Sequence, residues 1–116
     1  MTAESFIYVE DLSRHGSVPE NGILSVTLQN DDRTKVILFR FAPGQELSAH
    51  KAPFPATLTF IKGEARLRLG AEERDAGAGA FVYLSPNLEH GIQARSELVM
   101  LLTLIRNPPP LPSPAG

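Results

Sequence analysis

Cysteine is absent from this chain. Without thiols there is neither a disulfide framework nor a thiolate metal site, and the lack fits a reducing compartment. A run of charge of one sign is missing too. The 11 basic and 13 acidic residues are interspersed and give a formal charge of −2, so no basic stripe is available for nucleic acid and no nucleic-acid partner is expected. Nor is there a long hydrophobic run. The longest apolar stretch, Leu98 to Ile105, is interrupted by Thr103 and is far too short to span a bilayer. The start, Met1-Thr-Ala-Glu-Ser-Phe6, lacks the basic opening and apolar core of a signal peptide. The expectation is a soluble, cytoplasmic protein with no membrane association.

What is present reads as strand. The 116 residues suit one small domain, and a hydrophobic content of 42% supplies one core. Val36-Ile-Leu-Phe-Arg-Phe41 is rich in β-branched and aromatic residues and is closed by Pro43-Gly44. Thr57–Ile61 is a second such run, and Ala65-Arg-Leu-Arg-Leu69 alternates with period two. Gly70 to Asp75 reads as the turn after it. Ala80–Leu84 precedes a Ser-Pro-Asn turn, and Leu98–Ile105 suits a strand covered on both faces. Towards the N-terminus, within residues 1–34, Phe6–Val9 reads as an edge strand, Gly22–Leu28 as another, and Asn30-Asp31-Asp32 as a turn. No amphipathic helix is expected. Short strands punctuated by Gly, Pro and Asn point to an all-β sandwich or barrel. The last segment, 107–116, carries proline at 108, 109, 110, 112 and 114. Proline removes backbone donors, so a disordered extended tail is expected there, with a proline-rich ligand for a partner as the other reading.

Two histidines stand in glycine-framed segments. The first segment places Gly44, His50, Ala52, Ala56 and Gly63 in order; the second places Gly79, Ser85, Asn87, His90 and Ala94. Their spacing resembles the two motifs of the cupin superfamily, and the resemblance runs over residues 36–105. It implies a double-stranded β-helix, or jelly-roll barrel, over residues 1–106. In the family pattern three histidines and a glutamate hold a metal. Here Ala52 stands at the second histidine and Ala56 at the glutamate, leaving His50 and His90 as the metal-ligand candidates. Asn87 replaces a motif glycine mildly, because asparagine tolerates left-handed backbone. Imidazole with carboxylate suits Fe, Mn, Zn, Ni or Cu. With two imidazoles only, such a divalent transition metal is expected to be weakly held, since catalytic zinc usually has three protein ligands. Period two puts Glu46 on the face of His50 in a regular strand, which makes it the candidate third ligand.

If Ala56 faces inward, so do Leu58 and Phe60; if His90 does, so does Ile92. Together with Ala52, and with Tyr83 and Met100 at the mouth, these residues form the candidate ligand pocket, apolar with two imidazoles at its polar end. The bland reading is ordinary core with hydrogen-bonded interior histidines. Arg40, in an otherwise apolar strand, reads as a surface or interface residue, with anion binding as the sharper reading. The expected function is small-molecule binding by a cupin barrel with a degenerate metal site, non-catalytic or weakly catalytic. The rival is a metal-dependent cupin enzyme of oxygenase or isomerase type, completed by water or Glu46. A homodimer is expected, because small cupins often pair through their sheets.

Overall fold

The computed structural model describes residues 5–106; the proline-rich segment 107–116, and the tail expected there, lie outside the described residues. A short 3₁₀ turn, Leu12–Arg14, precedes the strands β1 (Ile23–Asn30), β2 (Thr34–Phe41), β3 (Glu46–His50), β4 (Ala56–Lys62), β5 (Ala65–Leu69), β6 (Glu72–Ala76), β7 (Phe81–Leu84), β8 (His90–Ala94) and β9 (Leu98–Ile105). They form a five-stranded sheet in the order β1-β2-β9-β4-β7 and a four-stranded sheet in the order β3-β8-β5-β6. Every pairing is antiparallel. The chain crosses repeatedly from one sheet to the other, which is the double-stranded β-helix the sequence predicts.

The core lies between the two sheets. Phe41, Leu58, Phe60, Leu67, Leu84, Leu98 and Met100 are at most 2% exposed and belong to one apolar cluster with Ala56, Ala65, Ile92 and Ala94. Alternation decides which side chains enter it. In β4, Ala56, Leu58 and Phe60 are buried while the intervening threonines are half-buried on the outer side. In β7, Val82 and Leu84 turn inward and Phe81 and Tyr83 outward. Leu98, Val99 and Met100 are all buried, so β9 is covered on both faces at that end.

Three local expectations are corrected. Most of the segment Gly70–Asp75 is strand rather than turn: β6 begins at Glu72 and pairs with β5 from Leu69↔Glu72 to Ala65↔Ala76. The charges of Glu72 to Asp75 suit the exposed edge strand they form. Phe6–Val9 is extended but joins no sheet. Arg40 is neither surface nor free: it is 2% exposed, and its Nη1 donates to the carbonyls of Ser13 and His15 at 3.0 and 2.9 Å. Those bonds hold the N-terminal strap against the outer face of the five-stranded sheet.

Two backbone positions explain the tight connections. Gly63, between β4 and β5, has φ +89°, and a Cβ there would lie 2.0 Å from the Glu97 carbonyl oxygen. Only glycine fits. Asn87 also adopts a left-handed φ of 66°, as its place at a motif glycine predicts.

Candidate functional site

His50 ends β3 and His90 begins β8, and the two are register partners in the four-stranded sheet. Between Leu47↔Ile92 and His50↔His90 the register shifts. Two residues of β3, Ser48 and Ala49, stand opposite the single residue Gly91. This is a β-bulge, and it re-aims the side chains beyond it. Leu47 packs on the core; in a regular strand His50, three residues on, would face the other way. The bulge restores it to the side of His90. Gly91 makes room: a Cβ there would stand 3.1 Å from the Ala49 nitrogen and 3.2 Å from the Leu47 carbonyl oxygen. Beyond the ladder, the Asn87 N–H donates to the Ala52 carbonyl at 2.7 Å, tying the loop after β3 to the turn before β8.

The rings of His50 and His90 are 4.5 Å apart between centroids and inclined at 56°. His50 Nδ1 lies 3.0 Å from the Ser48 carbonyl oxygen, and His90 Nδ1 lies 2.9 Å from that of Leu88. A carbonyl oxygen only accepts, so both Nδ1 atoms carry the hydrogen, and the tautomer this selects has its lone pair on Nε2. The same device orients metal-ligating histidines: Nδ1–H is fixed on the backbone and Nε2 is left for the ligand. His90 is 8% exposed, whereas His50 is exposed, so one ring belongs to the barrel end and the other to its rim. Leu69 pairs with His90 from the neighbouring strand, giving the site an apolar side.

The bulge corrects the expectation for Glu46. The premise of a regular strand fails between Glu46 and His50. Glu46 pairs with Gln93 and is exposed on the outer face, where it borders a concavity of about 220 Å³ with Arg66, Arg68 and Glu73. It therefore does not join the histidines. Ala52 is half-buried in the loop after β3, and Ala56 is buried in β4; neither offers a lone pair. Among the described residues, no group of three or more His, Cys, Asp or Glu side chains is arranged to hold a metal ion. The donor set thus stops at two imidazoles and does not fit the three- or four-ligand centre of the family pattern.

The candidate pocket residues separate into two groups. Leu58, Phe60, Ile92 and Met100 are 1%, 1%, 3% and 0% exposed. They pack against one another in the core and present almost no surface to a ligand. Tyr83 is 55% exposed, because it occupies the outward parity of β7. Ala56, 5% exposed, packs with the first group; of the residues expected around the histidines, His50 is exposed and Ala52 half-buried, while His90 is 8% exposed. Sequence reasoning missed Gly91, Leu69 and the two carbonyl acceptors. A signal for the first was present: a glycine inside a strand-like segment marks a bulge or a close backbone approach.

Among the described residues, no helix is long and apolar enough to cross a membrane. Among curated proteins, none matches the chain. Solved structures do. The chain is similar to a conserved protein of unknown function from Streptococcus pyogenes, with a TM-score of 0.83 and 24% identity over 93% of this chain and 100% of that one. A cupin superfamily protein from Desulfitobacterium hafniense gives 0.75 and 23% over 78% and 84%. An RmlC-like cupin from Shewanella frigidimarina gives 0.76 and 15% over 90% and 93%. At these identities the likeness speaks for the fold. The cupin domain family model matches residues 37–105, more than half of the sequence, and takes in β3 to β9 together with the paired histidines: the chain belongs to the cupin family.

Proposed function

We propose that this chain is a small-molecule-binding cupin, non-catalytic or weakly catalytic, that holds its ligand at the open end of the barrel through the Nε2 atoms of His50 and His90. One observation carries the reading. Both Nδ1–H groups are committed to backbone carbonyls, so two lone pairs on adjacent rings are left to accept hydrogen bonds from one ligand. Apolar contact would come from Leu69, the register partner of His90, and from the half-buried Ala52, whose small side chain stands where the family pattern has a larger polar group. A ligand with two neighbouring N–H or O–H donors on a compact apolar body matches this end. A resident catalytic metal is disfavoured by the donor set, since Glu46 faces the opposite side of the sheet.

Metal analysis of the purified chain and its His50→Ala variant tests the reading. A substoichiometric, easily dialysed metal content in both is expected. One tightly held metal per chain, lost in His50→Ala, would overturn it in favour of a metal-dependent enzyme. A fragment screen by NMR supplies the positive arm: compounds with paired donors should shift the His50 and His90 ring resonances and lose affinity about tenfold in either alanine variant, the effect of removing one hydrogen bond of about 1.4 kcal/mol.

A further inference from the structure

The N-terminal strap, anchored by Arg40 at Ser13 and His15, leaves a groove at the end of the five-stranded sheet where β9 finishes. The larger part of the groove, about 460 Å³, is walled by Ile7, Tyr8, Leu12, Leu28 and Val36. A second part, about 350 Å³, borders Phe6, Ile7, Gln29 and Asp31. Ile7 and Gln29 line both parts, so the two are continuous. Phe6, Ile7 and Tyr8 stand along it, exposed by 72%, 60% and 75%. Single exposed apolar residues are normal on a surface; consecutive ones along a groove mark a binding surface.

The chain leaves β9 beside this groove. Ile105 pairs with Thr34, and Val36, a wall of the groove, lies two residues along β2, about 7 Å away. The Arg106 N–H donates to the Arg33 carbonyl at 2.8 Å. The Arg106 guanidinium donates to the Asn30 side-chain oxygen at 2.8 Å and to the Asp31 carbonyl. Asp31 borders the groove, so Arg106 is held at its mouth with residues 107–116 still to follow. Extended at about 3.1 Å per residue, these ten span about 31 Å.

We propose that the segment 107–116 of the same chain docks in this groove as a polyproline II ligand. The pattern of its residues supports this. Polyproline II repeats every three residues. One face would then carry Pro108, Leu111 and Pro114, and the next Pro109, Pro112 and Ala115, both wholly apolar. Asn107, Pro110, Ser113 and Gly116 fall on the third face. Proline-rich segments bind aromatic-lined apolar grooves in this conformation, and Phe6, Ile7 and Tyr8 supply such a lining. Ordering costs little, because each proline ring already fixes φ. The other segment outside the described residues, 1–4, offers one large apolar side chain, Met1. Docked in the groove, 107–116 braces the start of the strap against the end of β9, and the two ends of the chain stabilise one another.

A spin label on the full chain tests the proposal. The chain has no cysteine, so Ser113→Cys takes a single nitroxide, on the third face. NMR should show strong paramagnetic broadening of the Phe6 and Tyr8 rings and of the Ile7, Leu28 and Val36 methyls, unchanged on dilution. Tyr83, at the opposite edge of the sheet, should be much less affected. Adding Leu111→Asp to the labelled chain should cut the ratio of docked to free segment about tenfold or more, the effect of losing one buried leucine, while Pro110→Asp on the third face leaves it unchanged. A groove without broadening would overturn the proposal and leave the groove to a different protein. Broadening that survives Leu111→Asp would overturn it too. So would broadening seen only between a spin-labelled copy and a separate isotope-labelled copy, which would make the occupant a second molecule.

Discussion

Replacing Gly91 with alanine probes the bulge that brings the two histidines together. The added methyl would stand 3.1 Å from the Ala49 nitrogen, 3.2 Å from its Cα and 3.2 Å from the Leu47 carbonyl oxygen, all backbone atoms that cannot rotate away. Ordinary contact begins near 3.4 Å, so β3 must retreat by a few tenths of an ångström. It can, because it is an edge strand held only by β8. Forcing extra volume into a close contact costs about 1–3 kcal/mol. Against this, alanine narrows the unfolded ensemble and returns about 0.4–1 kcal/mol. The net expectation is a loss of about 1 kcal/mol, or about 4 °C in Tm for a domain of this size. The second effect is local. His50 moves with β3, while His90 stays with β8 between its two neighbours. The His50 ring resonances should therefore shift more than those of His90, and ligands that bridge both rings should weaken. Calorimetry and ring-detected NMR read both effects. A Gly91→Ala protein as stable as the parent, with His50 unmoved, would refute the claim that the glycine makes room for the bulge.

Other substitutions separate the remaining causes. Gly63→Ala meets the Glu97 carbonyl as well as a positive φ, whereas Gly22→Ala has φ +83° with open space around it; urea titration should show a loss of about 3 kcal/mol or more for the first and about 1–2 kcal/mol for the second, and equal losses would mean that the contact is relieved by movement. Asp31 Oδ1 accepts from the backbone N–H groups of Thr34 and Arg33 at 2.8 and 2.7 Å, and these bonds, Thr34 first, with a weaker one from Gln29, hold its carboxyl below the ordinary 3.8. Its folded value is depressed, so its contribution is complete above pH 3.8 and is lost as pH falls through the lower folded value; the stability gap between the parent and Asp31→Asn should be constant from neutral pH down to about 5 and close at lower pH, and a gap that widened in acid would contradict this. Glu46→Gln should leave metal and ligand binding at the histidines unchanged in calorimetric titration, because the bulge puts that carboxylate on the other face; a clear loss of affinity would mean that β3 runs regularly in solution.

Much of the fold is legible in periodicity because most strands obey it. The expected strand Ala65–Leu69 is β5 to the residue, Leu98–Ile105 is β9, and Thr57–Ile61 lies within β4. The failures share a physical reason. Glu72 to Asp75 carry charges that local propensity assigns to a turn, yet pairing with β5 makes them an edge strand. Phe6–Val9 has strand propensity but no neighbouring strand to satisfy it. Arg40 reads as a surface residue because nothing local says that a distant strap will supply carbonyls to its guanidinium. Propensity describes what a segment prefers alone, and these three are decided by what arrives from elsewhere.

The candidate site is half legible for a related reason. Spacing identifies His50 and His90 as partners, and their adjacency follows from the register. Spacing also offers Glu46, four residues away, as a replacement ligand, and that step depends on uninterrupted period two. One extra residue in β3 reverses parity between them, so the same bulge that turns His50 towards His90 turns Glu46 away. The two outcomes are a single geometric fact. A regular β3 would bring Glu46 to the inner face only by taking it out of step with Gln93, and Leu47 would leave the core. Retaining Leu47 and His50 on one side therefore excludes the carboxylate. With alanine at 52 and 56, the barrel end is limited to what two imidazoles and an apolar wall can recognise.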